Sequence, residues 1–322
     1  MEIGQDFEGQ FSTSVLLQQL LSSDGTVAIA SMAFSKSGKY MAYCISKSGS
    51  DWSTLYFRET SKSFVTPAAN DKIAAEGGPD RLSDVVEGLK YSGPCWTHDE
   101  KGVFYIRYPT PKAKAAKTDE AEGAEVDHGT STDASQHSEL YYHRLGTDQK
   151  DDILVISRDE KVATSMFHPG VSRDGKWLIV THSVDTDTKA RTYLASLDQP
   201  IGPEMKWICL VPSFAYQLGY LANVGNDFYF ETNKDAPNSK IVRVRVDPST
   251  AKNVKHVTEM KEEAKYEDVV KEDKEAPLRD TAVINGDKLL VVYSRDVKDE
   301  LWQLELETGE KLKRLLPDCE SL

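Results

Sequence analysis

His182, Ser183 and Asp185 fall within one short run, and their types are those of a base, a nucleophile and an orienting carboxylate. That chemistry needs the imidazole within hydrogen-bond reach of the hydroxyl. The run reads as a strand, however, and adjacent side chains on a strand point to opposite faces. His182 and Ser183 are therefore expected to be polar strand-end residues. Asp185 and Asp187 flank Thr186 with two carboxylates, but a calcium loop also needs a following Gly and a bidentate Glu, and neither is in place. A solvated loop is expected there. His98 stands beside Asp99 in a polar turn, where side chains usually bond to the backbone. The Gly-x-Ser-x-Gly elbow that carries a hydrolase serine does not occur. Cys44, Cys95, Cys209 and Cys319 show no CxxC or Cys/His spacing, so buried or incidental thiols are expected, not zinc ligands or a disulfide framework. No metal and no cofactor are expected.

The elements that would position such residues repeat along the chain. A strand–turn–strand unit begins at Phe34 (FSKSGKYMAY), Trp96 (WTHDEKGVFYIRY), Val171 (VSRDGKWLIVTH), Val224 (VGNDFYFETN) and Ile284 (INGDKLLVVY). The starts lie 53 to 75 residues apart, a spacing that suits a four-stranded sheet with long loops. In the first unit Tyr40, Ala42 and Cys44 alternate with Met41, Tyr43 and Ile45, so both faces are apolar. A sheet packed between two neighbours needs this. Gly38 supplies the positive φ of the tight turn. A further strand follows each unit: 53–60, 138–145, 191–198, 239–247 and 299–310. The fold class is thus all-β, a β-propeller of four-stranded antiparallel blades with five clear units. Trp52, Trp96, Trp177, Trp207 and Trp302 fall near strands and read as packing residues. Propellers of the WD type have shorter units and a regular Gly-His…Trp-Asp spacing that is missing here.

Helical periodicity is weak. Val15–Leu21 has room for two turns, and the charged stretch Glu259–Val270 reads as a short surface helix or a loop. Two polar stretches, Pro111–Gln136 and Ala68–Gly88, read as unstructured, the first a mobile loop within one blade.

The 322 residues are enough for substantial cores, and 39% hydrophobic with 28% charged residues is ordinary for a globular chain. The net charge of −13 is not offset by any basic block, so neither nucleic acid nor an anionic membrane is an expected partner. No apolar stretch reaches transmembrane length. The N-terminus carries Glu2, Asp6 and Glu8 where a secretory signal would be basic, so a cytoplasmic location is expected.

Five short motifs go beyond generic blade grammar. They are Ser-Gly-Ser-Asp-Trp (48–52); Lys-Tyr-Ser (90–92) with Trp-Thr-His-Asp (96–99) and Lys101–Tyr105; and Leu-Tyr-Tyr-His-Arg-Leu-Gly-Thr-Asp-Gln (140–149). Then come Thr232-Asn233 with Pro237-Asn238, and Val297-Lys298-Asp299-Glu300-Leu301. In this order they resemble the propeller domain of the prolyl oligopeptidases, serine peptidases that cut short peptides after proline. The resemblance covers residues 22–318, leaving a divergent segment 1–21 and a tail 319–322.

The resemblance implies a seven-bladed propeller that caps an α/β-hydrolase domain, admits peptides and excludes folded proteins. It also implies that this chain is an incomplete or open propeller without the hydrolase domain and its Ser-Asp-His triad, inactive by itself. The expected partners are a hydrolase domain or a full-length paralogue and, once paired, short proline-containing peptides. Matching the motifs places substrate-facing side chains near Tyr91, Met166, Ser183 and Thr186. The best-known members carry an arginine where this chain has Ser183. For Tyr91 and Met166, simple blade packing is an equal alternative. A stand-alone propeller interaction module, or a truncated gene product with no peptidase role, is the alternative for the whole chain.

Overall fold

A computed structural model describes residues 26–62, 81–109 and 136–317. Among the described residues, twenty strands form five antiparallel groups of four. The first blade holds β1 (Val27–Phe34), β2 (Tyr40–Lys47), β3 (Trp52–Glu59) and β4 (Arg81–Lys90), and the second holds β5 (Cys95–Trp96), β6 (Gly102–Arg107), β7 (Glu139–Arg144) and β8 (Ile153–Ile156). The third consists of β9 (Ser165–Val171), β10 (Trp177–Val184), β11 (Ala190–Ser196) and β12 (Ile208–Val211). The fourth has β13 (Leu218–Val224), β14 (Asp227–Thr232), β15 (Lys240–Arg245) and β16 (Glu267–Val270). The fifth has β17 (Leu278–Ile284), β18 (Lys288–Arg295), β19 (Lys298–Glu305) and β20 (Lys311–Leu315). Each expected unit is the first hairpin of a blade, and each expected further strand is the third.

The chain divides into two compact units, residues 1–169 with 201–203, and residues 170–200 with 204–322. Within each unit, the doubly apolar strands are explained by cores on both faces. In the second unit Phe228 and Phe230 of β14 face Trp177, Ile179 and Leu194 of the third blade, whereas Tyr229 between them faces Leu289, Val291 and Leu304 of the fifth. In the first unit Ala42, Cys44, Leu55 and Phe57 pack on Trp96, Val103 and Tyr105 of the second blade, while Met41, Tyr43 and Ile45 form a core on the opposite face. Full burial of each such side chain is worth about 1.5–3 kcal/mol.

Two expectations need correction. Residues 81–88 are not unstructured: they belong to β4, which pairs with β3 through register shifts between Ser53 and Leu55 and between Tyr56 and Arg58. The stretch Glu259–Val270 ends in a strand, β16, preceded by an extended segment and a single 3-10 turn, Val257–Glu259. The first two blades also join, since β4 meets β6 at Leu89 and Arg107 and makes one continuous sheet of eight strands. Val15–Leu21 and residues 111–135 lie outside the described residues.

The turn glycines divide by cause. Gly38, Gly175, Gly225 and Gly286 close the first hairpins of four blades at positive φ. In the second blade Glu100 takes that conformation instead (φ 58°), and Gly102 is needed for space. A Cβ there would lie 2.1 Å from the carbonyl oxygen of His143 on β7.

Candidate functional site

Two motifs of the first unit, 48–52 and 90–92, meet at one end of the β3–β4 pair. The Tyr91 hydroxyl donates to Asp51 Oδ2 at 2.6 Å, and the Lys90 ammonium lies 4.0 Å from the same oxygen. Lys90 Nζ also sits 5.4 Å from the Trp52 ring and 5.1 Å from the Tyr91 ring, in cation–π range. Trp52 meets Tyr108 edge to face at 6.5 Å, and burial pushes the Tyr108 hydroxyl up to about 12. Asp51-Trp52 and Lys90-Tyr91 therefore build one aromatic cluster around a buried lysine. Tyr91 itself is 58% exposed and has φ of 52°, a conformation uncommon outside glycine. A rigidly held but exposed aromatic ring suits a ligand contact.

Of the other expected site residues, Met166 is half-buried on β9, also in the first unit. Ser183 and Thr186 lie in the second. Ser183 is buried near the end of β10, opposite Ala190 of β11, and Thr186 is exposed in the turn between those strands. Lys189 of the same turn borders a groove of about 430 Å³ whose other walls include Tyr216, Asn233, Lys234 and Glu263. Lys234 pairs with Glu263 at 2.5 Å and lies 4.5 Å from the Tyr216 ring. This lysine, together with the hydrogen bond donated by Tyr216, holds the Glu263 carboxyl below its usual range.

His182 is fully buried and lies 5.5 Å from the Phe214 ring, on a neighbouring register position to Ser183. The two face opposite sides of β10, as the strand period requires. In the turn that carries His98, the Asp99 carboxylate accepts from Thr97 Oγ1 at 2.7 Å and from the Lys101 amide at 3.2 Å. Asp174 does the same for Ser172 and Lys176 in the third blade. Cys44 and Cys209 are buried thiols pushed up to about 11 and about 12, mainly by burial. Among the described residues no three His, Cys, Asp or Glu side chains converge with metal-ligand geometry.

One cluster was not foreseen from the sequence. His143 of β7 is completely buried, with Nδ1 2.7 Å from Asp152 Oδ1 and Nε2 3.2 Å from Asp84 Oδ1. Asp152 Oδ2 also accepts from the Tyr105 hydroxyl at 2.7 Å, and Asp84 Oδ1 accepts from the Gly146 amide. The Phe57 ring stacks on the imidazole at 5.3 Å. Ionised carboxylates only accept, so a hydrogen on each ring nitrogen satisfies both contacts, which makes His143 an imidazolium. Burial alone would push its pKa down. The hydrogen bonds to Asp152 and Asp84 outweigh burial and hold it up at about 9. The sequence held a signal for this: the motif 140–149 contains His143, Gly146 and Gln149, all of which bond to β4.

The comparisons with known proteins agree with this architecture. The family model for the prolyl oligopeptidase N-terminal β-propeller domain matches residues 7–321. Prolyl oligopeptidase A of Amanita bisporigera is 37% identical over 302 residues, covering 93% of this chain and 36% of that protein. The dual function macrocyclase-peptidase POPB of Galerina marginata is 31% identical over 300 residues, again covering 93% and 36%. The structure of prolyl oligopeptidase B from Galerina marginata bound to a 35mer hydrolysis and macrocyclization substrate superposes with a TM-score of 0.74 at 29% identity, over 94% of this chain and 37% of that one. The apo form of the same enzyme gives a TM-score of 0.73 at 28% identity. The chain thus spans about 36% of the length of the relatives it matches. With the blade order, the motif contacts and these matches in agreement, the chain belongs to the prolyl oligopeptidase family, as its N-terminal β-propeller domain.

Proposed function

We propose that this chain serves as the substrate-gating propeller of a prolyl oligopeptidase-type serine endopeptidase, acting in the cytoplasm on short proline-containing peptides. In this reading the chain supplies no catalytic group. It works against a hydrolase domain, and the side chains assigned to the peptide are Tyr91, Met166, Ser183 and Thr186. The observation that carries the reading is the family match across residues 7–321. The exposed, tethered ring of Tyr91 supports it locally.

The test has two arms. The purified chain alone should not hydrolyse a chromogenic peptide containing proline. Turnover that a serine-directed phosphonate blocks would refute the absence of catalysis. Supplied with the hydrolase domain of the Amanita or Galerina relative, the chain should support cleavage of short peptides but not of folded proteins. In that assembly Tyr91→Ala should raise KM about tenfold with little change in kcat, the signature of lost substrate binding worth about 1.4 kcal/mol. An unchanged KM would remove Tyr91 from the site.

A further inference from the structure

We infer that Asp84, His143 and Asp152 form a charged latch that clamps β4 of the first blade onto the second and thereby fixes the rim turn carrying Tyr91. The geometry runs along the whole of β4. Asp84, near its start, bonds to His143 of β7 and to the Gly146 amide. Glu87, in its middle, is held through its backbone: the Gln149 side chain accepts from the Glu87 amide at 3.1 Å and donates to its carbonyl at 2.9 Å. Near its end the Tyr108 amide donates to the Gly88 carbonyl at 3.0 Å, and Leu89 pairs with Arg107. Tyr91 follows directly. Three of these anchors come from motif 140–149, so the motif acts on the neighbouring blade.

The side-chain anchor differs in kind from the others because it depends on a proton. The groups facing His143 are Asp84 from β4, Asp152 from the segment before β8, the Tyr105 hydroxyl of β6 through Asp152, and the uncharged Phe57 ring of β3. Arg107 of β6 acts on Tyr105 at longer range. Loss of the proton leaves one ring nitrogen as a bare acceptor against a carboxylate that also only accepts. Both side-chain carboxylates are at most 3% exposed, so water cannot readily take the place of the lost bond. The latch should hold while the imidazole keeps its second proton and open when it is lost, as the hydrogen-bonded imidazolium becomes neutral in alkali.

The latch rests on the first unit alone; its consequence for peptides rests on the reading of Tyr91 given above. The test is therefore split. The imidazoles of the isotopically labelled chain are titrated by NMR, with His143 assigned by comparison with His143→Asn. One doubly protonated imidazole should persist at about pH 8, well above the ordinary histidine value. If every imidazole is neutral at that pH, the latch is wrong. Hydrogen exchange read by mass spectrometry supplies the second arm. His143→Asn and Asp84→Asn should each speed exchange across residues 81–91 at least about tenfold, with the second unit unchanged. A uniform rise over both units would overturn the positioning role and leave only a general loss of stability. Should both variants fail to fold, the unmodified chain moved from neutral to alkaline pH, corrected for base-catalysed exchange, reports the same selective opening or its absence. Peptide binding is measured separately, so failure of the Tyr91 reading would leave the titration result standing.

Discussion

His143 and His182 show how little a residue type says before its partners are known. Both lie on strands and both are completely buried. His182 rests against Phe214, while His143 sits between two carboxylates. In the sequence His182 looked chemical because Ser183 and Asp185 are its neighbours, yet strand geometry separates them. His143 looked like an ordinary polar strand residue, because Asp84 is 59 positions away and no local pattern joins them. Two predictions belong here. Asp152→Asn should cost about 3–5 kcal/mol, as expected when one partner of a buried pair is removed. Urea unfolding should show a lower midpoint with an unchanged slope. The second concerns pH. The folded pKa of His143 lies above the ordinary value, so the native state binds that proton more tightly than the unfolded state. Its stabilisation is fully present below about pH 6.5 and disappears as pH rises through about 9, up to about 3 kcal/mol in all. Asp84, lowered by its bonds to His143 and Gly146 despite burial, acts at the other end. Its contribution is present above the usual aspartate pKa and is lost as pH falls through its lowered value. Unfolding measured across pH should therefore lose stability in alkali, and Asp84→Asn should flatten that loss. A profile with no alkaline loss in the unmodified chain would contradict the imidazolium.

At the scale of elements, β4 is, with β16, a strand that the sequence does not show. Its apolar residues Leu82, Val85, Val86 and Leu89 follow a helical spacing, not a two-residue period. The cause is visible in the pairing with β3, where two register shifts break the alternation, and in Gly88 at φ 82°. Bulges place consecutive residues against one partner and so erase the period on which strand recognition depends. The first hairpins are legible because their turns are short and the shifts in β1, β13 and β17 fall away from the turn, leaving the pairing next to it regular. The glycines of these hairpins allow a further prediction. Gly38 is required for its φ of 76°, with nothing near its missing side chain, whereas Gly102 is required for space against β7. Gly38→Asn should cost well under about 1 kcal/mol, since asparagine tolerates the left-handed region. Gly102→Ala should cost about 1–3 kcal/mol or more, because backbone must move to admit a methyl group. Equal costs for the two, read from urea midpoints, would mean that both sites are governed by backbone conformation alone.

For the whole molecule, the motifs identified the family more sharply than the strands did, and their contacts explain why. Asp51 and Trp52 meet Lys90 and Tyr91. Thr232 and Asn233 bond to the backbone of Gln217. Asn238 holds Glu272 and Asp273, and Asp299 pairs with Arg279. Each motif pins a loop by a polar contact that few other side chains can replace, whereas core strands tolerate any apolar side chain of similar volume. Loops pinned this firmly are preorganised, and preorganisation lowers the cost of association. If the proposed partnership holds, the hydrolase domain of the Galerina relative should bind the folded chain and not the unfolded one. Mass action then sets the size of the effect: at a hydrolase concentration about 100 times Kd, the gain is about 2.7 kcal/mol. Thermal unfolding of the mixture should shift upward by several degrees and continue to rise with the logarithm of hydrolase concentration. The matching control is the Tyr91→Ala chain. It should show the same shift, because Tyr91 is assigned to the peptide and not to the domain contact. If the unmodified chain shows no shift at any hydrolase concentration, the partnership fails. If the Tyr91→Ala chain alone loses the shift, Tyr91 serves the domain contact instead of the peptide.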